Sequence, residues 1–411
     1  MSTKYSGMVV KVAWRNVWRN KVRSAVVVLA VGLGLWAGIF TASFMYGVSM
    51  QRLNNIVNSQ LSHIQMHHPA FAEDMDPAFL LADGEKILQQ LSTDEKIKSA
   101  CGRTIATGMV ASPRGNGGVV IKGVEPLEEI RVTNVHEKII AGSFFDDSKK
   151  NQIVIGEKLA EKLKVKLKRK VNLTVQSLSG DFISESYVVT GIFKTSSSKY
   201  DEGNVFVRMD SLANMLGAGS AMHEIAFLLK DADLVDSAKN ELQKKYAALS
   251  VESWKDLAPE LDYINEIMDE YLRIFMVIIL LAMAFGIINT MLMAVMERTR
   301  EIGVLMAIGM NKTRIFFMIL FETVFLTLTG VPVGLLLSFA TIRYFSKTGV
   351  DLSLFSKGLA NFDIEMIVYP SLDMSFYPML IVMATVTALL SAIYPAYKAL
   401  KLHPSSAIRS V

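Results

Sequence analysis

Four stretches of the chain are almost free of charge: Ser24 to Gln51, Ile274 to Met296, Ile315 to Ile342 and Met374 to Tyr397, with Glu322 interrupting only the third. Each exceeds the roughly 20 residues that an α-helix needs to cross about 30 Å of hydrocarbon. The pattern predicts four transmembrane helices, at 24–50, 273–296, 315–342 and 374–397. Between the first two, over 51–272, the periodicity changes. "HIQMH", "VNLTVQ", "YVVTGIF" and "EIAFLL" alternate as strands do, whereas "DGEKILQQL" and "LVDSAKNELQKKY" keep helical spacing. A large α+β domain inserted between helices 1 and 2 is therefore expected. "SPRGNGG", "SLSGD" and "KTSSSKYDEGN" are its expected loops, the last two being candidate subdomain boundaries.

Charge orients these elements. Residues 1–23 carry Lys4, Lys11, Arg15, Arg19, Lys21 and Arg23 with no acid, the connection 297–314 adds Arg298, Arg300, Lys312 and Arg314, and the tail 398–411 adds Lys398, Lys401 and Arg409. The connection 343–373 instead holds Asp351, Asp363, Glu365 and Asp373. The positive-inside bias puts both termini and 297–314 in the cytoplasm, and 51–272 and 343–373 outside. A long domain crosses regardless of its own charge, so 51–272 does not disturb this assignment. Within 1–23, Val10, Trp14, Val17 and Trp18 share one helical face and Lys11, Arg15 and Arg19 another. This predicts an interfacial amphipathic helix, with Trp14 and Trp18 at headgroup depth and Arg15 and Arg19 towards anionic lipid.

Helical spacing also joins the outer segment to the spans. Leu257, Leu261, Ile264, Met268 and Tyr271 follow a coiled-coil seam into the second span, predicting one helix from Asp256 to Met296, about 60 Å long. Met50, Leu53 and Val57 extend the first span in the same way, so the two extensions are expected to form a stalk, with ordinary packing of helix ends as the alternative. The pairs Gly34/Gly38 and Gly330/Gly334 are candidate points of close helix approach, and Pro332 a candidate bend in the third span.

Composition changes the picture mainly by exclusion. With 51% hydrophobic and 20% charged residues the chain is neither disordered nor fibrous. The first apolar run is too long for the h-region of a cleaved signal peptide, and the single Cys101 rules out an intrachain disulfide. No G-x-x-x-x-G-K-[ST] phosphate loop, H-E-x-x-H or G-x-S-x-G occurs, so the chain is expected not to be an enzyme, and any ATPase activity belongs to another subunit. His63, His67 and His68 lie close together without a Cys or acid that completes a metal set, so no metal site is expected.

The densest signal is "MERTREIGVLMAIGMNKTRIFFMILFE", between the second and third spans. The charges at Glu297, Arg298, Arg300 and Glu301 are followed by Ile302, Leu305, Met306 and Ile308, and then by Gly309, which can end a helix. This is a short helix with an apolar stripe, suited to a groove on a partner or to lying on lipid. Together with "TGVPVGLLLSF" and "IYPAYKALKLHPSSAIRS", it resembles the FtsX-like permease family of ABC transporters, whose members include the Lol-type lipoprotein-releasing permeases and the MacB-type exporters. The order of one span, a large outer domain and three further spans is similar over essentially the whole chain. The N-terminal ATPase fused in MacB-type members is not expected here, and "SHIQMHHPAF" soon after the first span is more similar to the Lol type.

The resemblance implies a coupling helix that docks on a cytoplasmic ABC ATPase dimer. Its contacts are assigned by motif to Arg298, Arg300, Glu301, Ile302, Leu305 and Met306. It further implies ATP and Mg on that partner with no cofactor in this chain, a second permease subunit, identical or similar, and an inner-membrane location. The partners expected are membrane lipid, a lipoprotein or other cargo and a periplasmic carrier or adaptor, with no nucleic acid. Analogy places an acyl-chain groove at Phe40, Phe44, Met45 and Val48 of the first span and Phe275, Ile278 and Ile279 of the second. Glu322 is expected to be structural, neutral or hydrogen-bonded between helices. Three function classes follow: lipoprotein release by mechanotransmission, efflux or peptide export with an adaptor, and non-transporting regulation of a cell-wall hydrolase.

Overall fold

In the computed structural model, residues 3–19, 21–145, 151–219, 222–355, 365–372 and 376–401 are described, without side-chain detail for 3–9, 23, 73, 264–266, 269 and 355. Asp363, Asp373 and Arg409, the side chain of Ile264, and most of the 398–411 tail lie outside that description. The chain divides into two compact units, one of Met1–Ser49, Glu266–Asp351 and Ile367–Val411, the other of Met50–Asn265 and Leu352–Met366.

The first unit is helical. Among the described residues four helices are long and apolar enough to cross a membrane, within Ser24–Leu61, Glu270–Glu297, Lys312–Thr348 and Phe376–Leu400. Their shared core runs through Val31, Leu35, Ile39, Leu280, Ile287 and Leu326. The third helix passes through Pro332 without a break in its assignment and ends at Gly349, with φ of 72°. Close approach is concentrated where the third helix meets the first. A Cβ on Gly330 would lie 2.9 Å from Val31 Cβ, and one on Gly334 2.8 Å from the Gly32 carbonyl oxygen. Of the expected pair in the first span, Gly38 faces Ile279, but nothing lies within 4 Å of a Cβ on Gly34; Gly32 is the residue that meets the third helix. The difference is one of phase: residues 34 and 32 differ by about 200° around a helix of 3.6 residues per turn.

A helix Thr3–Arg19 precedes the spans and packs on the third. Ala13 and Val17 are buried, while Trp14 and Trp18 remain 46% and 55% exposed. Of the expected Val10/Trp14/Val17/Trp18 face, Val17 with Ala13 therefore turns to the protein, and the two tryptophans do not. Small Ala13 admits the neighbouring helix, and Trp14 meets Phe325 edge-on at 5.3 Å.

The second unit is built on one ten-stranded sheet: β1 (Ile64–His67), β2 (Ile97–Ser112), β3 (Gly115–Val124), β4 (Ile139–Gly142), β5 (Gln152–Gly156), β6 (Lys170–Gln176), β7 (Phe182–Phe193), β8 (Asn204–Arg208), β9 (Glu224–Leu229) and β10 (Ser250–Ser253). Pairing runs β10–β1–β9–β2–β3–β8–β5–β7–β4, and β6 bridges β2 to β7. The path β2–β3–β8–β5–β7–β6 thus closes on itself. It encloses Val110, Ile121, Ile155, Leu173, Tyr187 and Val205, alternate residues that strand periodicity sends to one face. A second apolar cluster, with Ile64, Leu91, Ile225 and Phe227, lies along β1 and β9.

The 16-residue β2 serves both parts, pairing with β9 up to Arg103 and with β3 from Arg103 onward. At that junction the buried Arg103 guanidinium donates to Glu129 (2.8 and 2.9 Å) and to Glu224 (2.6 Å). Burial pushes the Glu129 carboxyl up, but the charge and hydrogen bonds of Arg103 outweigh it and hold Glu129 below the usual carboxylate range. Burial, with Glu129 beside it, raises the Cys101 thiol well above its ordinary value.

Three expectations differ here. "SLSGD" is the turn between β6 and β7 inside the sheet, and no unit boundary falls there or at "KTSSSKYDEGN". The latter run contains a helix, Ser198–Gly203, started by the Ser197 side chain accepting from Tyr200 N–H. The expected helix from Asp256 to Met296 is interrupted: a short helix ends at Leu257, Ala258 leaves the helical region at φ −139° and ψ 68°, and a new helix runs Pro259–Glu297. Pro259 is the cause, since proline disfavours the α-conformation in the residue before it and is well placed in a first turn. Beyond the break, Ile56, Ala258 and Leu261 form a buried cluster with Leu53, Leu61 and Trp254, so the helix extensions do pack together. Finally, 352–366 groups with this unit, where Glu365 accepts from Gln51 and from Lys138 (3.2 Å).

Candidate coupling site

The connection between the second and third spans has three parts, each fixed by local chemistry. At Arg298, with φ −100° and ψ 15°, the second helix stops, and Thr299 Oγ1 donates to the Met296 carbonyl at 2.6 Å. The short helix Thr299–Ala307 follows. It ends at Gly309, whose φ of 92° suits a residue without Cβ, as Gly309 N–H and Met310 N–H donate back to the Met306 and Leu305 carbonyls. Asn311 then caps the third span, its side chain accepting from Thr313 N–H at 3.1 Å.

The short helix is anchored on its inner side. Ile302 and Gly303 are buried, and Met306 packs against the core of the unit. Arg298 Nη1 donates to both oxygens of Glu322, at 2.9 and 3.1 Å, inside the third span. Arg298 Nε also lies 3.5 Å from Glu301 Oε2, and Arg19 Nη2 of the N-terminal helix reaches both Glu301 oxygens at 2.6 and 2.5 Å. A chain of alternating charge, Arg19–Glu301–Arg298–Glu322, therefore ties the short helix to the N-terminal helix and to the third span.

These contacts redistribute the expected docking residues. Ile302 faces the core, and Arg298, with a side chain only 12% exposed, holds Glu322. Leu305 and Met306 are half-buried, whereas Arg300 and Glu301 are exposed. The contacts assigned by motif do not include Val304, 41% exposed, or Ile308, 79% exposed, although Ile308 belongs to the apolar stripe read from the sequence. With Arg300 they form an i, i+4, i+8 stripe on the outer face. The motif supplied the helix but not its rotation, which is set by the Arg298–Glu322 pair.

On the N-terminal helix, Trp14, Arg15 and Trp18 are exposed, while Arg19 is engaged by Glu301. The expected acyl groove is divided between helix faces. Phe40 lies between Trp36 (6.3 Å) and Phe345 (5.7 Å) of the third span, Met45 packs into the core, and Phe44, Val48 and Phe275 are half-buried. Ile279 faces Gly38, and Ile278 points outward, 58% exposed. An apolar groove of about 440 Å³ lies elsewhere, between the second and fourth spans, lined by Val277, Leu281, Ile288, Val382 and Leu390.

Comparison with known proteins gives two matches that together span most of the chain. The family described as FtsX-like permease C-terminal matches residues 273–404, and the MacB-like periplasmic core domain matches 24–245. The chain is 24% identical over 401 residues to the lipoprotein-releasing system transmembrane protein LolC of Buchnera aphidicola subsp. Schizaphis graminum, covering 92% of this chain and 91% of that one. It is 24% identical over 277 residues to an uncharacterised ABC transporter permease of Methanocaldococcus jannaschii, covering 65% of this chain and 64% of the relative, just under two thirds of its length. The crystal structure of the periplasmic region of MacB from Actinobacillus actinomycetemcomitans aligns with 53% of this chain and 98% of its own at 13% identity, with a TM-score of 0.36.

Proposed function

Because the chain belongs to the FtsX-like ABC transporter permease family and carries its MacB-like core domain between the first and second of four apolar helices, we propose that it is the membrane subunit of a mechanotransmitting ABC complex. As such it is an inner-membrane protein. In this reading both termini and the 299–307 helix are cytoplasmic. A separate ATPase dimer, holding ATP and Mg, receives that helix, and two permease subunits share the motor. The observation that carries the reading is the split character of the helix: Arg300, Val304 and Ile308 face outward, while Arg298 and Glu301 are tied to Glu322 and Arg19 behind them. A push on the outer stripe is passed to two other helices through ion pairs.

The second span begins at Arg298's doorstep and continues unbroken back to Pro259, 39 residues or about 58 Å at 1.5 Å per residue. A helix of that length moves as a lever, and the work it performs is outside the membrane. Likeness to LolC over nine tenths of both chains supports lipoprotein release to a periplasmic carrier as that work. The match to the MacB-like core domain favours, as the second reading, export with a periplasmic adaptor.

Two measurements test this. Ile308→Asp with Val304→Asp should leave the chain inserted in the membrane but unable to retain the ATPase on purification; full retention would remove the docking assignment. Trapping the complex with a hydrolysis-deficient ATPase and identifying what co-purifies should give lipoprotein, whereas an adaptor and outer-membrane duct without lipoprotein would replace release by export.

A further inference from the structure

The charged chain described above forms one wall of a cavity of about 590 Å³, a volume in the range of small-molecule sites. The N-terminal helix contributes Val12, Asn16 and Arg19, the 298–305 segment Arg298, Arg300, Glu301 and Val304, and the spans apolar residues that include Met291, Val295 and Ile319. Among the described lining residues three guanidiniums face two carboxylates, Glu301 and Glu322, an excess of one positive charge. The excess has an address. Arg300 makes no ion pair among the described residues, and Arg298 Nη2 is buried without a hydrogen-bond partner there, although Nη1 and Nε of the same group are engaged. Buried donors of this kind are rarely left unmatched, and a guanidinium donor is matched best by an oxyanion.

The depth of the cavity is marked by Trp14 and Trp18, exposed on the same helix as Asn16 and Arg19, since tryptophan collects at the headgroup level. A basic pocket between helices with apolar walls at that depth suits a phosphate diester that carries a glycerol and acyl chains. We propose that this cavity binds the phosphate of an anionic phospholipid, with Arg298 Nη2, Arg300 and Asn16 as donors and the apolar wall receiving the glycerol end. Occupancy adds a second tie between the N-terminal helix and the 299–307 helix, beside Arg19–Glu301, so the lipid holds the docking stripe in position. The inference rests on the proposed function only in placing this end of the spans in the cytoplasmic leaflet.

The test is thermal unfolding of the full-length chain in detergent, titrated with short-chain phosphatidylglycerol, phosphatidylcholine of the same chains, or inorganic phosphate. Phosphatidylglycerol should raise the midpoint saturably and phosphatidylcholine should not, and Arg300→Gln should raise the half-saturating concentration roughly tenfold, the loss of one charge-assisted hydrogen bond. Arg298→Gln should abolish the shift; since that change also removes the buried pairing with Glu322 and can prevent folding, Arg300→Gln is decisive. Equal shifts from both lipids, or an unchanged phosphatidylglycerol titration in Arg300→Gln, would overturn the site. A shift by inorganic phosphate as large as that by phosphatidylglycerol would remove the lipid as occupant. If Arg300→Gln instead loses the ATPase on purification while titrating normally with lipid, the cavity wall is a protein contact and the proposal fails. Ile308→Asp alone, on the docking stripe but outside the cavity lining, should titrate like the parent chain, so a failed docking assignment leaves this result standing.

Discussion

Glu301 holds Arg19 across 282 residues of sequence, with Nη2 within 2.5–2.6 Å of both carboxylate oxygens. Sequence reasoning had given these residues to different partners, the ATPase and the lipid. Their pairing makes the N-terminal helix part of the apparatus that positions the docking stripe. Both side chains are about half exposed, 53% and 54%, so the pair stabilises by no more than about 1 kcal/mol and is screened by salt. A double-mutant cycle of Arg19→Ala and Glu301→Ala on thermal unfolding should return a coupling energy below about 1 kcal/mol at low salt, vanishing near molar ionic strength. A salt-independent coupling would show that the pair is shielded in the folded chain.

Arg298 and Glu322 should behave differently, because their side chains are only 12% and 5% exposed. Removing one partner leaves the other charged and buried, which typically costs about 3–5 kcal/mol, whereas replacing both with apolar residues of similar size is often neutral. Arg298→Met alone should therefore lower the unfolding midpoint strongly, and Arg298→Met with Glu322→Leu should recover most of the loss. Destabilisation by the double variant equal to the sum of the single effects would mean that the two groups do not act as a pair.

The sequence pattern carried the four spans, the inserted α+β domain and its individual strands, since "EIAFLL" coincides with β9 and "VNLTVQ" lies within β6. Hydropathy is a property of single segments and survives folding, as does the alternation of β6, whereas β9 is buried at every position. What the pattern could not carry was rotation and partnership. Gly32 rather than Gly34 meets the third span, and Ile302 rather than Ile308 turns inward, because helix phase is decided by partners outside the segment, about 300 positions away for Gly32 and 24 away for Arg298 with Glu322. The interruption at Ala258 was legible in Pro259 and was overridden by an attractive heptad spacing.

Packing of the first span on the third leaves no room for a methyl group at Gly334, where a Cβ would meet the Gly32 carbonyl oxygen at 2.8 Å and Leu35 Cβ at 3.0 Å. The first of these neighbours is backbone and cannot rotate away. Gly334→Ala should cost on the order of 1–3 kcal/mol, read as a lowered unfolding midpoint. Gly286→Ala, with nothing within 4 Å of the new Cβ, is the control and should be neutral or gain about 0.5–1 kcal/mol of helix propensity. Equal effects at the two positions would remove the close contact.

Asp201 gives the outer unit a pH dependence of predictable sign. Burial pushes its carboxyl up to about 6, against the hydrogen bonds it accepts from Thr195 N–H and Thr195 Oγ1. An acid whose folded pKa is raised keeps its proton in the folded chain after the unfolded chain has released it, so stability falls as pH climbs from about 4 through about 6 and is level above. Two pKa units correspond to on the order of 2–3 kcal/mol as an upper bound. Asp201→Asn cannot ionise, and the difference between its unfolding midpoint and that of the parent chain should widen in favour of the variant between pH 4.5 and pH 7. A difference constant with pH would show that the Thr195 hydrogen bonds offset burial and leave the folded pKa equal to that of the unfolded chain. A difference that narrows as pH rises would place the folded pKa below that of the unfolded chain.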